Sequence, residues 1–214
     1  MSSDLIEKIA LIAVGWLFAL LGPAIVDANR RQRENVAVRT ILAVELQEVA
    51  LKLALANHYI IKHFGEEDRQ HLEWISDVVN SYRGTTPSDS IADLLVMKLS
   101  LTDQEIASNS KRTAAQPGQG IVLQKYLVPL LDSRISSLLY FRGVVPPLLL
   151  DIKNRLGLLN DTVEQVRHNT HLTFGKLEGD NYQRLVENIS GSYRFYAEEA
   201  KRVADKIRSL EKLL

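Results

Sequence analysis

From Ile9 to Val26 the chain reads IALIAVGWLFALLGPAIV, eighteen residues without a charge. As a helix this run covers about 27 Å, close to the roughly 30 Å of a bilayer's hydrocarbon core. A helix that is apolar on every side has no face to give to water, so protein or lipid must enclose it. Asp4 with Glu7 three residues on resembles a helix cap ahead of the run, and Pro23 predicts a kink near its end. Arg30, Arg31 and Arg33 follow, whereas the other flank offers only Lys8 against Asp4 and Glu7. This asymmetry predicts a single transmembrane helix, span about 9–26, in a cell (inner or plasma) membrane with the C-terminal domain cytoplasmic. A cleaved signal peptide, with Val26-Asp27-Ala28 as its processing site, and a buried core helix are the other two readings. The missing basic n-region and the Arg cluster oppose the first, and the length of the run opposes the second.

Gly15, Ala19 and Gly22 share one face of the span, where small residues allow another helix close approach. The span has no ionisable side chain to relay ions or protons. Arg30, Arg31 and Arg33 set topology and meet anionic headgroups, which makes membrane lipid an expected partner. The organisation read from this is a segment 1–28 carrying the span and a helical domain over 29–214.

Beyond the span, apolar residues recur at helical spacing and no strand-like alternation stands out, so the fold class is all-α, a helical bundle with long coiled-coil-like helices. Leu42, Leu46, Val49, Leu53, Ala56 and Ile60 make a seam on a long helix over 35–64, into which the span can run directly. Gly65 predicts its stop, and central helices occupy 66–175. Within these, a helix over 66–82 carries Leu72, Ile75, Val78 and Val79, and GTTPSD at 84–89 is a turn with Ser88 or Asp89 capping a helix to Leu99. Thr102 with Glu105 is a capping box for a helix ending near Ser110, and residues 110–120 form a loop. Ile121–Phe141 reads as a helix bent at Pro129, and Pro146-Pro147 open a helix that runs to about Thr173 or breaks near Gly157.

The C-terminal helix, over 181–214 with Asp180 as its cap, has the most regular pattern. Tyr182, Leu185, Ile189, Tyr193, Tyr196, Ala200, Val203, Ile207, Leu210 and Leu214 fall on one face. Such a seam packs either on the chain's own helix 35–64 or on another subunit as a coiled coil. The chain is therefore expected to be a homo-oligomer, to hold a protein partner, or both.

Chemistry is sparse. Cysteine is absent, which excludes disulfides, thiolate nucleophiles and Cys-based zinc sites. The 26 basic and 26 acidic residues cancel, and Lys111 and Arg112 lack interleaved aromatics, so nucleic-acid binding is unsupported. His63, Glu67 and His71 are spaced i, i+4, i+8, the candidate metal set if one helix carried them unbroken. His168 and His171 beside Arg167 read as surface polar residues. The helical layout resembles HEPN-type ribonucleases, whose motif is Arg, four to six residues, then His. Arg167 and His171 leave only three residues between them, and His58 has Lys52 where Arg is needed, so no catalytic residue carries over. No phosphate loop or hydrolase motif appears either. No cofactor and no catalytic residue is expected. The function expected is a membrane-anchored helical interaction or assembly protein. A membrane effector that perturbs the bilayer on oligomerising and a degenerate HEPN-like nuclease or metal hydrolase are the alternatives.

Overall fold

The computed structural model describes residues 3–84, 89–116, 119–133, 141, 143–175 and 179–213, and no strand occurs among them. Among the described residues there are seven helices: α1 (Ser3–His63), α2 (Arg69–Ser81), α3 (Asp89–Leu99), α4 (Asp103–Thr113), α5 (Pro129–Ser133), α6 (Val145–Leu172) and α7 (Asn181–Glu211). By contact the chain divides into two units, Met1–Ile41 and Leu42–Leu214, a boundary later than the expected 28/29. Helix α1 contributes to both, starting well before residue 35 and continuing through Pro23.

In the first unit Leu11, Ile12, Val14, Trp16, Leu21, Ile25 and Val26 are all exposed. At about 100° per residue they cover more than half of the helix circumference. Among the described residues no helix is long and apolar enough to cross a membrane. The 9–26 run lies partly outside that description, because the side chains at positions 9, 10, 13, 17, 18, 20 and 24 are not included in it.

In the second unit two apolar clusters form. The larger joins Leu42, Leu46, Val49, Leu53 and Ile60 of α1 to α6 and to Tyr193, Tyr196, Ala200, Val203, Ile207 and Leu210 of α7. Thus both seams are buried in one shared cluster within a single chain, with α6 packed along α7. Ile189 packs partly buried against this cluster, Leu185 is half-buried and Tyr182 is exposed, while Leu214 lies outside the described residues. The smaller cluster uses a second stripe of α1, Leu51 and Ala54, against Leu72, Ile75, Val78 and Val79 of α2, Leu95 of α3 and Ile106 of α4. Trp74 packs on both clusters.

Local signals account for most helix ends. Gly65, at φ 68°, closes α1 with the N–H of Glu66 on the carbonyl of Ile61 and its own N–H on that of Lys62, a Schellman motif. Asp68 caps α2, and Thr102 with Glu105 forms a complete capping box on α4. Pro146 and Pro147 sit in the first turn of α6, where their missing N–H groups cost nothing, and α6 runs on through Gly157. Asp180 precedes α7 but makes no side-chain cap. Helix α4 extends to Thr113 rather than ending near Ser110, and α2 begins at Arg69 rather than Glu66.

The expected helix over 121–141 does not form at its start. Residues 121–128 are non-helical, and Pro129 begins α5 instead of bending a longer helix. The reason is capture of the backbone by side chains of other elements. Tyr193 Oη accepts from the N–H of Ile121 at 3.0 Å and donates to its carbonyl at 2.9 Å. Tyr196 Oη donates to the Gln124 carbonyl, and Asn160 takes both backbone groups of Tyr126, each at 2.9 Å. Ile121 and Leu123 turn inward while Val122 and Gln124 face out, the two-residue period of an extended chain. Residues 134–140 of that expected helix lie outside the described residues, as do 85–88 of the expected turn, and Phe141 at its end is buried but not helical.

Candidate functional site

The second stripe of α1 continues from Leu51 and Ala54 to His58, so a histidine is carried on an apolar face. There His58 meets His71 from the first turn of α2. The rings stack with centroids 5.2 Å apart and 9° between planes, and His58 Nδ1 lies 3.0 Å from His71 Nε2. The His58 side chain is 13% exposed, and His71 is buried. Trp74 borders His71 at 5.9 Å, with its indole N–H on Asp205 Oδ1 at 2.8 Å and Lys201 above its ring at 4.9 Å.

The link between α1 and α2 delivers a carboxylate to the pair. Glu67 is buried, donates its backbone N–H to Ser110 Oγ at 2.8 Å, and accepts on Oε1 from Lys98 Nζ at 2.5 Å. The same oxygen lies 3.5 Å from His58 Nε2. A carboxylate held by an ammonium only accepts, so it favours the His58 tautomer with the proton on Nε2. Nδ1 of His58 is then the acceptor, and His71 Nε2–H the donor.

Burial first, then the positive charges of Lys98 and Lys62, pushes His58 down to about 4. Burial and His58 likewise push His71 down to about 4 against the pull of Glu67 and Asp68 in the other direction, with Lys201 adding to the lowering. The pair is therefore neutral at pH 7 and becomes charged only in acid. Among the described residues no hydroxyl stands in hydrogen-bond line with it.

Of the expected set His63, Glu67 and His71, the structure joins the last two and replaces the first with His58. The i, i+4, i+8 spacing needs one unbroken helix, whereas α1 ends at His63 and α2 starts at Arg69. His63 lies instead beside Phe64 and Tyr193, at 5.2 and 6.2 Å between centroids. Among the described residues no group of three or more His, Asp or Glu side chains could hold a metal ion. His168 and His171 are exposed. In the first unit, Gly15 and Ala19 are exposed and Gly22 is half-buried; Arg30 pairs with Glu34 at 2.9 Å, Arg33 is exposed, and the Arg31 side chain lies outside the described residues. The signal for His58 was present in the sequence as a histidine i+4 from Ala54 on a second apolar stripe, but its partner across α2 was not.

Fold and site together define an all-α bundle that encloses a neutral histidine pair beside a lysine-held carboxylate. No family model, curated protein or solved structure matches the chain.

Proposed function

We propose that this chain is a membrane-anchored helical assembly module: the first part of α1 spans the bilayer, and the bundle is held at the inner face, where copies or a partner gather. The observation carrying this reading is the exposure of Leu11, Ile12, Val14, Trp16, Leu21, Ile25 and Val26, which among the described residues nothing covers. In water this arrangement is unfavourable by about 25 cal/mol for each Å² left exposed, and a hydrocarbon environment removes that cost. The Arg30–Arg33 cluster supports the inward orientation of the C-terminal side. Assembly falls to the span, because the long seams are already used inside the bundle. A methyl group in place of Gly15 or Gly22 would touch nothing within 4 Å, so that face is open to a neighbouring helix. Tethering raises the effective concentration, so weak helix contacts suffice.

Two measurements test the reading. The expressed chain should stay in the membrane fraction through an alkaline carbonate wash, and its release would remove the anchor from the proposal. In non-ionic detergent, mass photometry should show oligomers that Gly15→Leu with Gly22→Leu reduces to monomers. Equal assembly of the variant and the parent would refute association through the span.

A further inference from the structure

We propose that the cleft between the C-terminal ends of α1, α3 and α4 binds a phosphomonoester joined to a small apolar group. The cleft holds about 220 Å³ and is lined by Lys62, Lys98 and Arg112 as well as Glu67. Three cations against one carboxylate leave two positive charges, matching a phosphomonoester's charge of about −1.5 to −2 at neutral pH. Leu72 and Ile106 give the cleft an apolar floor, with Asn109 and Thr113 as polar lining. Its volume lies below the roughly 300 Å³ at which drug-sized pockets begin, so the apolar group is no larger than about one ring.

Basic residues also gather at helix C-termini simply to offset the dipole, and these three occupy last turns. That explanation is weakest for α1 and α3, whose terminal carbonyls are already satisfied. On α1, Ile60, Ile61, Lys62 and His63 accept from the backbone N–H groups of Phe64, Glu66, Gly65 and Ala115. On α3, Val96 and Lys98 accept from backbone N–H groups, Met97 from Ser100 Oγ, and Leu99 from Arg69. Among the described residues Lys62 forms no hydrogen bond or ion pair, and Arg112 bonds only to Asn109 Oδ1. Two cations with donors to spare thus flank the Lys98–Glu67 pair at the mouth of an apolar-floored cleft. Nothing here depends on the membrane reading.

The test is calorimetric titration of the detergent-solubilised full chain with phenyl phosphate, at constant ionic strength. Binding is expected, weakened by about tenfold for each of Lys62→Gln and Arg112→Gln, since each removes one charge-assisted contact. Lys62 is half-buried and Arg112 exposed, and both substitutions leave Glu67 its lysine. Met97→Trp, which narrows the cleft without changing charge, should abolish binding, and unchanged circular dichroism of all three variants confirms folding. Benzyl alcohol, lacking the phosphate, should not bind. Dihexanoyl phosphatidic acid separates the two sources of the group: tighter binding than phenyl phosphate assigns the cleft to a lipid headgroup, and weaker binding to a soluble metabolite. No heat with either phosphate probe up to 20 mM, or equal affinity in parent and variants, overturns the proposal.

Discussion

Lowering the pH from 7 to 5 should unfold this protein more easily, because its two stacked histidines stay neutral while folded. Their folded values lie at about 4 for both His58 and His71, against an ordinary value of about 6.5. Between those values the unfolded chain binds protons that the folded chain refuses, so stability falls as pH drops through that window. Lowered folded values give this sign; raised ones would give the opposite. At pH 5 each unfolded imidazole is mostly charged and each folded one is neutral, which costs about 2 kcal/mol per histidine relative to pH 7. For the pair the loss is about 4 kcal/mol, a large share of the 5–15 kcal/mol that holds a typical domain together. With a urea slope of about 2 kcal/mol per molar, the midpoint should fall by about 2 M.

The chain has two tryptophans, Trp16 and Trp74. Trp16→Phe leaves Trp74, which touches both apolar clusters and borders His71, as the fluorescence reporter. Urea titrations of this protein in non-ionic detergent at pH 7 and pH 5 give the two midpoints. In His58→Leu with His71→Phe the shift should shrink to the remainder set by His63, which burial lowers, and Glu211, which burial raises. A midpoint that does not move with pH in the parent, or moves as far in the double variant, would refute the reasoning.

The remaining predictions concern the contacts that shape the bundle. Tyr193→Phe strips the Ile121 backbone of both its partners and should cost about 1–3 kcal/mol in urea denaturation. It should also speed amide exchange at Ile121. Arg155→Met removes the two-pronged bond, at 3.2 and 2.8 Å, to buried Glu199. Arg202 still reaches that carboxylate at 2.8 Å, so the loss should fall at or below the low end of the roughly 3–5 kcal/mol for breaking a buried pair. A loss within error would show that Arg202 alone suffices. Gly65→Ala puts a side chain at φ 68°, with its Cβ 2.9 Å from the Ala114 methyl. It should lower stability by more than about 1 kcal/mol, whereas an unchanged melting temperature would mean that the α1–α4 contact yields freely.

Much of this architecture was legible locally. The stop at Gly65, the capping box of Thr102 and Glu105 and the proline-led start of α6 each depend on residues a few positions apart, whose geometry is set by backbone sterics and short hydrogen bonds. Residues 121–128 were misread as helix for a matching reason. Their own side chains carry no helix breaker before Pro129, and the groups that hold them extended belong to Tyr193, Tyr196 and Asn160, distant in the chain. The histidine site failed in the same way. Helical spacing paired His71 with His63, while the reversal between α1 and α2 paired it with His58.

By itself, then, the sequence determined that the chain is helical, where most helices begin and end, and that an uncharged run of eighteen residues precedes an arginine cluster. Periodicity and caps act over one or two turns, so one chain read in order contains them. Only the tertiary structure decided that both seams join one core with α6, that 121–128 lies extended, and that His58, His71, Glu67 and Lys98 meet. Those outcomes depend on which distant groups satisfy buried polar atoms and fill apolar faces, a competition settled when the helices pack together.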